Sequence, residues 1–153
     1  MKVVIKLILI CIVMYSCNNP KVVNETENTP VFKIRETPCF GTCPVYNMEI
    51  YTNGYVSYEG QRFVEKEGAY EKTISKEEVE RLINSFKEAG FFDFEEKYTA
   101  NMTDLPTVFT SFNYEGKSKK IENYHGAPDE LKALEKSLRE IAMSQEGWSK
   151  IED

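Results

Sequence analysis

Hydrophobic and polar side chains alternate in short stretches along the first half of the chain. The segments "VFKIRE" (31–36) and "VYNMEIY" (45–51) place an apolar side chain at every second position, which is typical of a strand with one buried face. Asn53-Gly54 precedes a similar segment, "YVSYEG" (55–60), and predicts a hairpin with a type I′ turn, whose two central residues both have positive φ. A fourth strand is expected around "GAYEKTI" (68–74).

After residue 74 the spacing of apolar residues becomes that of a helix. Ser75 and Glu78 have the spacing of a capping box, in which each side chain satisfies a free backbone amide. Gly90 favours the end of this helix, whose apolar positions are Val79, Leu82, Ile83 and Phe86. Pro128 suits the first position of a second helix, whose apolar stripe is Leu131, Leu134, Leu138 and Ile141.

Two more strands are expected between the helices. Residues 107–114 and 117–124 form the pattern of a second hairpin that turns near Glu115-Gly116. The complete order is therefore ββββ-α-ββ-α. It predicts an α+β fold, with an antiparallel sheet and two helices packed on one face.

The first residues resemble a bacterial sorting signal. In residues 1–17, Lys2 and Lys6 precede a short apolar run, as in a secretory signal peptide. Lys6 interrupts the run, which falls short of the roughly 20 residues of a membrane-spanning helix. The run ends in Ser16-Cys17, which resembles the lipobox of lipoproteins, where the cysteine is acylated after cleavage. Residues 18–30 are polar and predict a flexible tether, which leaves residues 31–149 as one globular domain.

The lipobox resemblance implies a location. A lipidated Cys17 would attach the chain to a membrane of the bacterial cell envelope, because each buried CH₂ contributes about 0.8 kcal/mol. In Gram-negative lipoproteins, an aspartate after the acylated cysteine usually signals retention in the inner membrane. Asn18 occupies this position, so the resemblance implies the outer membrane, with the domain facing the periplasm.

Composition and charge exclude one class of partner. The chain has 153 residues, of which 41% are hydrophobic and 29% charged, as expected of one globular domain. Its net charge is −6, and it lacks the large basic block that nucleic-acid binding requires. The short basic run Lys117-Ser118-Lys119-Lys120 is interpreted as the solvated face of a strand.

The motif "PCFGTCP" (38–44) contains the two cysteines that would remain after processing, since Cys11 leaves with the signal and Cys17 takes lipid. In an oxidising compartment, Cys39 and Cys43 are expected to form a structural disulfide. A zinc site would need four ligands. Thiol redox chemistry prefers Cys-x-x-Cys at the start of a helix, whereas here the spacing is one residue longer and a strand follows.

The loops offer one candidate group of polar residues. His125, the only histidine, is interpreted as a solvent-exposed or capping residue, and Asp104 as a turn former. If their loops converge, Asp104, Tyr124 and His125 would form a ligand-binding loop. No catalytic motif is present, so no catalytic, cofactor-binding or metal-binding residue is assigned.

The chain resembles a family of uncharacterised bacterial secreted and lipid-anchored domains. The resemblance rests on "CFGTCPVY", "YTNGYVSYEG", "TDLPTVFTSF" and "YHGAPDELKALE", and it spans most of residues 32–148. It implies one intact domain in the bacterial envelope and names no activity.

Two hypotheses follow. The first is a non-catalytic module that binds an envelope protein or a small molecule through its loops or a sheet face. The second is a small enzyme, either a thiol oxidoreductase through Cys39 and Cys43 or a hydrolase through Asp104 and His125. The missing catalytic motifs favour the first hypothesis.

Overall fold

A computed structural model describes residues 29–152 of the chain. The predicted signal peptide, its lipidation site Cys17 and residues 18–28 of the predicted tether lie outside the described residues. The domain contains a sheet, two helices and one 3₁₀ turn. The strands are β1 (Phe32–Glu36), β2 (Val45–Ile50), β3 (Tyr55–Arg62), β4 (Gly68–Thr73), β5 (Lys97–Tyr98), β6 (Val108–Tyr114), β7 (Lys117–Asn123) and β8 (Ser149–Lys150). The helices are α1 (Lys76–Glu88) and α2 (Asp129–Met143), and the 3₁₀ turn is Phe91–Asp93.

The strands form one eight-stranded sheet in the order β5-β7-β6-β1-β2-β3-β4-β8. Every neighbouring pair is antiparallel except β5 and β7, which are parallel. The predicted α+β class and the order ββββ-α-ββ-α are confirmed. The structure adds β5 and β8, which have two residues each and are too short to show an alternating pattern in the sequence.

Both helices pack against one face of the sheet, as predicted. Phe32 of β1 lies at the centre of this core, with its ring centroid 4.6 Å from that of Phe86 in α1 and 5.1 Å from that of Phe112 in β6. From α2, Leu131 and Leu138 are fully buried in the same cluster. Ser75 caps α1 by accepting a hydrogen bond from the backbone amide of Glu78. Within residues 29–152, neither helix is both long and apolar enough to cross a membrane.

The two predicted hairpin turns have different geometries. Glu115 and Gly116 have φ values of 49° and 75°, which confirms the predicted turn and gives it the two positive φ angles of a type I′ turn. In Asn53-Gly54 only Gly54 has positive φ, at 88°, so the predicted type I′ turn is wrong. The amide of Tyr55 donates to Oδ1 of Asn53, and Gly54 carries the single left-handed conformation of a three-residue loop.

Four long connections lie at one end of the sheet, because the strand ends that border them lie together there. This loop end contains residues 37–44, 63–67, 99–107 and 124–128. The chain enters β1 at the opposite end, where the backbone amide of Val31 donates to the carbonyl of Ile50. The domain therefore presents these long loops at the end opposite residue 29, the first residue that the structure describes.

Candidate functional site

The predicted ligand loop lies at the loop end, and Tyr124 connects two of its segments. The Tyr124 hydroxyl donates to the carbonyl of Met102 at 2.8 Å and accepts from the amide of Leu105 at 3.4 Å. Asp104 has a φ of 80° and accepts a hydrogen bond from the hydroxyl of its neighbour in sequence, as suits a turn. His125 is exposed. Among the described residues, no hydrogen bond or ion pair joins Asp104 to His125.

Cys39 and Cys43 lie in the β1–β2 connection at disulfide distance, with their Cα atoms 5.7 Å apart. The connection is tied to the adjacent loop, because the amide of Thr37 donates to the carbonyl of Thr107 and the amide of Thr107 donates to Oγ1 of Thr37. Phe40, between the two cysteines, is 90% exposed. The pair thus closes a small loop whose tip projects into solvent.

Removal of this pair gives a prediction about stability. Replacing both residues, Cys39→Ser/Cys43→Ser, should lower the free energy of unfolding by about 2 kcal/mol, because the cross-link restricts the unfolded chain over a short loop. Urea denaturation of the full chain measures this change. Thiol titration of the unfolded wild-type chain should find Cys39 and Cys43 unreactive before reduction. A thiol from this pair that reacts in the native chain, without reductant, would instead support the oxidoreductase hypothesis.

A concave surface lies on the sheet face that the helices leave uncovered, which we call the open face. It holds a cavity of about 990 Å³ that extends from β7 to β4. The cavity is lined by apolar residues, which include Phe109 and Ile151, and by polar and charged side chains of the inner strands: Lys33, Arg35, Asn47, Glu49, Ser57, Glu59, Ser111 and Lys120. None of the loop-end residues predicted as a ligand site lines it.

A phenylalanine with two cations forms one half of the open face. Phe109 of β6 is directly opposite Arg35 of β1. On β7, the other neighbour of β6, Glu122 is directly opposite Phe109 and Lys120 lies diagonally across from it. The guanidinium carbon of Arg35 lies 4.9 Å from the ring centroid of Phe109, and the Lys120 ammonium lies 4.5 Å from it. Both cations therefore interact with the same aromatic ring. We call Arg35, Phe109 and Lys120 the cationic centre.

The charges next to the cationic centre are paired. Lys33 Nζ lies 2.7 Å from Oε1 of Glu49, whose Oε2 accepts a hydrogen bond from the Tyr51 hydroxyl. Partial burial raises the pKa of Glu49, but the hydrogen bonds from Lys33 and Tyr51 outweigh burial and hold this pKa below its usual value. Glu49 is therefore ionised at neutral pH and neutralises Lys33.

Short polar side chains occupy the middle of the cavity. Asn47, Ser57 and Ser111 are half-buried, and within residues 29–152 their side chains form no hydrogen bond. Each carries donor and acceptor capacity that faces the cavity. The open face thus offers free hydroxyl and amide groups beside two cations without carboxylate partners.

The covered side of the sheet contains a buried polar group that the sequence analysis did not predict. Oε1 of Glu36 accepts hydrogen bonds from the Tyr46 hydroxyl at 2.9 Å and from Nε of Arg139 at 2.5 Å. Burial, with Glu36 beside it, raises the pKa of Tyr46 well above its ordinary value, so the phenol stays protonated and donates. The sequence indicates this buried carboxylate, because Glu36 occupies an inward position of an alternating strand.

Glu135 of α2 lies in the same layer and is 3% exposed. Its Oε2 accepts from Nδ2 of Asn123 at 2.8 Å, while its Oε1 has no hydrogen-bond partner in the described part of the chain. Burial raises the pKa of Glu135 to about 7. The sequence indicates that Glu135 is buried, since it lies one helical turn after Leu131 and one before Leu138, within the apolar stripe.

A second cavity, of about 330 Å³, lies between α1 and α2 beside Lys72 and Ser144. Lys72 Nζ lies 2.6 Å from Oγ of Ser144, a pairing that some hydrolases use. Here the Ser144 hydroxyl donates to the carbonyl of Ile141, and Lys66 Nζ donates to the carbonyl of Ser144. Lys72 Nζ also donates to the carbonyl of Ile141 at 3.4 Å. Both amines thus compensate carbonyl groups at the C-terminus of α2, which has no basic residue in its own last turn. These contacts explain the pair as a helix cap.

Within residues 29–152, no three histidine, cysteine or acidic side chains are grouped as they would be around a metal ion.

Comparison with known proteins assigns the chain to a family. Searches of curated proteins and of solved structures found no match to the chain. A domain of unknown function, DUF6438, matches residues 30–142, which agrees with the predicted resemblance to an uncharacterised domain family. The chain therefore belongs to the DUF6438 family.

Proposed function

We propose that this chain is a lipid-anchored module of the bacterial cell envelope that binds a partner on the open face and has no catalytic activity. One observation carries the proposal. One side of the sheet is closed by two helices, whereas the other holds a cavity of about 990 Å³ whose lining includes two unpaired cations and free hydroxyl groups. Concave surfaces with a few convergent polar groups are the usual positions of binding sites.

The geometry favours binding over the two enzyme hypotheses. Cys39 and Cys43 lie at disulfide distance in a connection between strands, without the helix N-terminus that activates a redox thiol. Asp104 is bonded locally within its turn, and His125 is exposed without a hydrogen bond to it. A hydrolase needs its acid, base and nucleophile in mutual contact.

The proposed anchoring rests on the sequence. Lys2 and Lys6, the short apolar run and Ser16-Cys17 support acylation of Cys17. Because β1 begins at the end of the sheet opposite the loop end, a tether from Cys17 would join the domain at the end away from these loops. The open face runs along the side of the domain between these two ends and would stay accessible.

Site-specific photo-crosslinking in cells tests both parts of this proposal. A photoreactive residue at Ser57, on the open face, should crosslink the full chain to a partner, and the product should be found in the membrane fraction. The same residue at Glu80, exposed on α1, should give no such product. Asn47→Trp should abolish the Ser57 crosslink by filling the cavity, and Cys17→Ser should release the chain to the soluble fraction.

Two outcomes would contradict the proposal, each in a different part. Equal crosslinking from Ser57 and Glu80, or none from Ser57, would contradict the binding surface. A wild-type chain that already fractionates as soluble would contradict the anchor and leave the binding surface standing.

A further inference from the structure

The cationic centre differs from the other cations of the open face in having no acid to neutralise it. Lys33 and Lys97 form ion pairs with Glu49 and Glu122 at 2.7 and 2.9 Å. Arg35 and Lys120 form no ion pair within residues 29–152, and Phe109 is their only aromatic contact. Two unneutralised cations on one side of a cavity are notable in a chain with a net charge of −6.

We infer that the cationic centre binds the acidic group of an anionic saccharide, an inference that rests on the proposed function of the open face. Arg35 and Lys120 approach Phe109 from the two strands that flank β6, so an anion above the ring would lie within reach of both. Arg presents a planar fork that matches an oxyanion, and Lys adds a point charge. Ser111, between Lys120 and Lys33 in the same row across the sheet, adds a free hydroxyl.

The remaining lining favours a saccharide over an acidic protein segment. Peptide recognition depends on apolar and aromatic anchors in pockets. The phenylalanine of this cavity is already in contact with two cations, and its two tyrosines pack against each other and the core. The one exposed large apolar side chain of the described lining, Ile151, lies at the β4 edge of the cavity. Asn47, Ser57 and Ser111 instead offer short donors and acceptors with no partner among the described residues. Sugar hydroxyl groups, which both donate and accept, match such side chains.

The acids in the cavity set the position of the charged sugar. Glu49 is neutralised by Lys33, and Glu122, which is directly opposite Phe109 on β7, is neutralised by Lys97. Glu59 lies on β3, two strands from Arg35, and has no ion pair in the described part of the chain. Adjacent strands are about 4.8 Å apart, so Glu59 is roughly 10 Å from the cationic centre across the sheet. The acidic group of the saccharide is therefore placed on the β6–β7 side of the cavity, and the neutral hydroxyl groups of the saccharide extend toward β3.

Affinity electrophoresis of the full chain in detergent tests this inference. Gels would contain polygalacturonate as the carboxylated saccharide, dextran sulfate as the sulfated one, neutral dextran, or poly-glutamate as the acidic peptide. We expect retardation by at least one of the two anionic saccharides, and by neither dextran nor poly-glutamate. Comparison of polygalacturonate with dextran sulfate identifies which acidic group is preferred.

Matched variants separate the site from general charge attraction. Arg35→Gln/Lys120→Gln should weaken saccharide binding by about tenfold or more, because each charge-assisted hydrogen bond contributes roughly that much. Lys76→Gln/Arg81→Gln removes the same charge from α1, and it should leave binding unchanged. Equal weakening in both variants, no retardation by either anionic saccharide, or stronger retardation by poly-glutamate would overturn the inference. If the Ser57 crosslink persists in that case, the proposed binding surface survives; if it is absent as well, both fail.

Discussion

Replacing Arg139 with methionine should destabilise the protein by about 3–5 kcal/mol, because it leaves a buried carboxylate without its positive partner. Glu36 is only 4% exposed, and its Oε1 lies 2.5 Å from Nε of Arg139. Burial lowers the pKa of Arg139, but the charge of Glu36 outweighs burial and raises this pKa overall, so the guanidinium stays charged beside Glu36. Urea denaturation of the full chain at pH 7 measures the loss.

Two further variants distinguish the effect of the unpaired charge on stability from the effect of lost packing. In Glu36→Gln/Arg139→Met the buried charge is gone, so much of the stability should return. Lys136→Met removes a cation from the exposed surface of the same helix and should change stability by less than about 0.5 kcal/mol. If Arg139→Met costs no more than Lys136→Met, the ion pair does not stabilise the domain.

The second prediction concerns the change in the free energy of unfolding with pH. The pKa of Glu135 is about 7 in the folded chain, against an ordinary value of 4.5. Between these pH values the folded chain holds a proton that the unfolded chain has released. The stability that Glu135 contributes is therefore complete below pH 4.5 and is lost as the pH rises to about 7. The complete loss should be on the order of 3 kcal/mol, since the pKa differs by about 2.5 units and one unit corresponds to about 1.4 kcal/mol.

Glu135→Gln should remove this dependence. The glutamine carbonyl can still accept from Asn123, and its amide cannot ionise, so the variant should gain stability relative to wild type as the pH rises from 4.5 to 8. Parallel urea titrations across that range measure the difference curve. Glu80→Gln, which removes an exposed carboxylate of α1, is the control. A difference curve for Glu135→Gln as flat as that of the control would contradict the raised pKa.

The sequence predicted the regular elements well because their signals are local. Alternation in β1 and β2 and the capping serine of α1 each depend on residues within a few positions. The hairpin at Asn53-Gly54 was predicted in the correct place with the wrong geometry. That geometry depends on Asn53 accepting from Tyr55, and on the contact of the Gly54 carbonyl with the amide of Ile74, a residue at the end of the next hairpin.

The candidate site was not predictable in the same way, because it is assembled across strands. Arg35 and Phe109 are far apart in sequence and become neighbours only through the register of β1 with β6. Lys120 is exposed, as expected of the solvated face of a strand. Its proximity to Phe109 could be predicted only with the order of the strands in the sheet. The predicted loop residues Asp104 and His125 did reach one end of the sheet, as their places next to strand ends suggested, without contacting each other through a hydrogen bond.

The two shortest strands have a consequence for solubility. Strands β5 and β8 each pair with only two residues of their neighbours, so most of the outer edges of β7 and β4 lacks a strand partner within the described residues. Free strand edges invite edge-to-edge pairing and aggregation, and lysines are a common defence. The uncovered part of β7 is the basic run that contains Lys117, Lys119 and Lys120. Two copies meeting along this edge would bring like charges together, so the chain should resist pairing even when crowded on a surface.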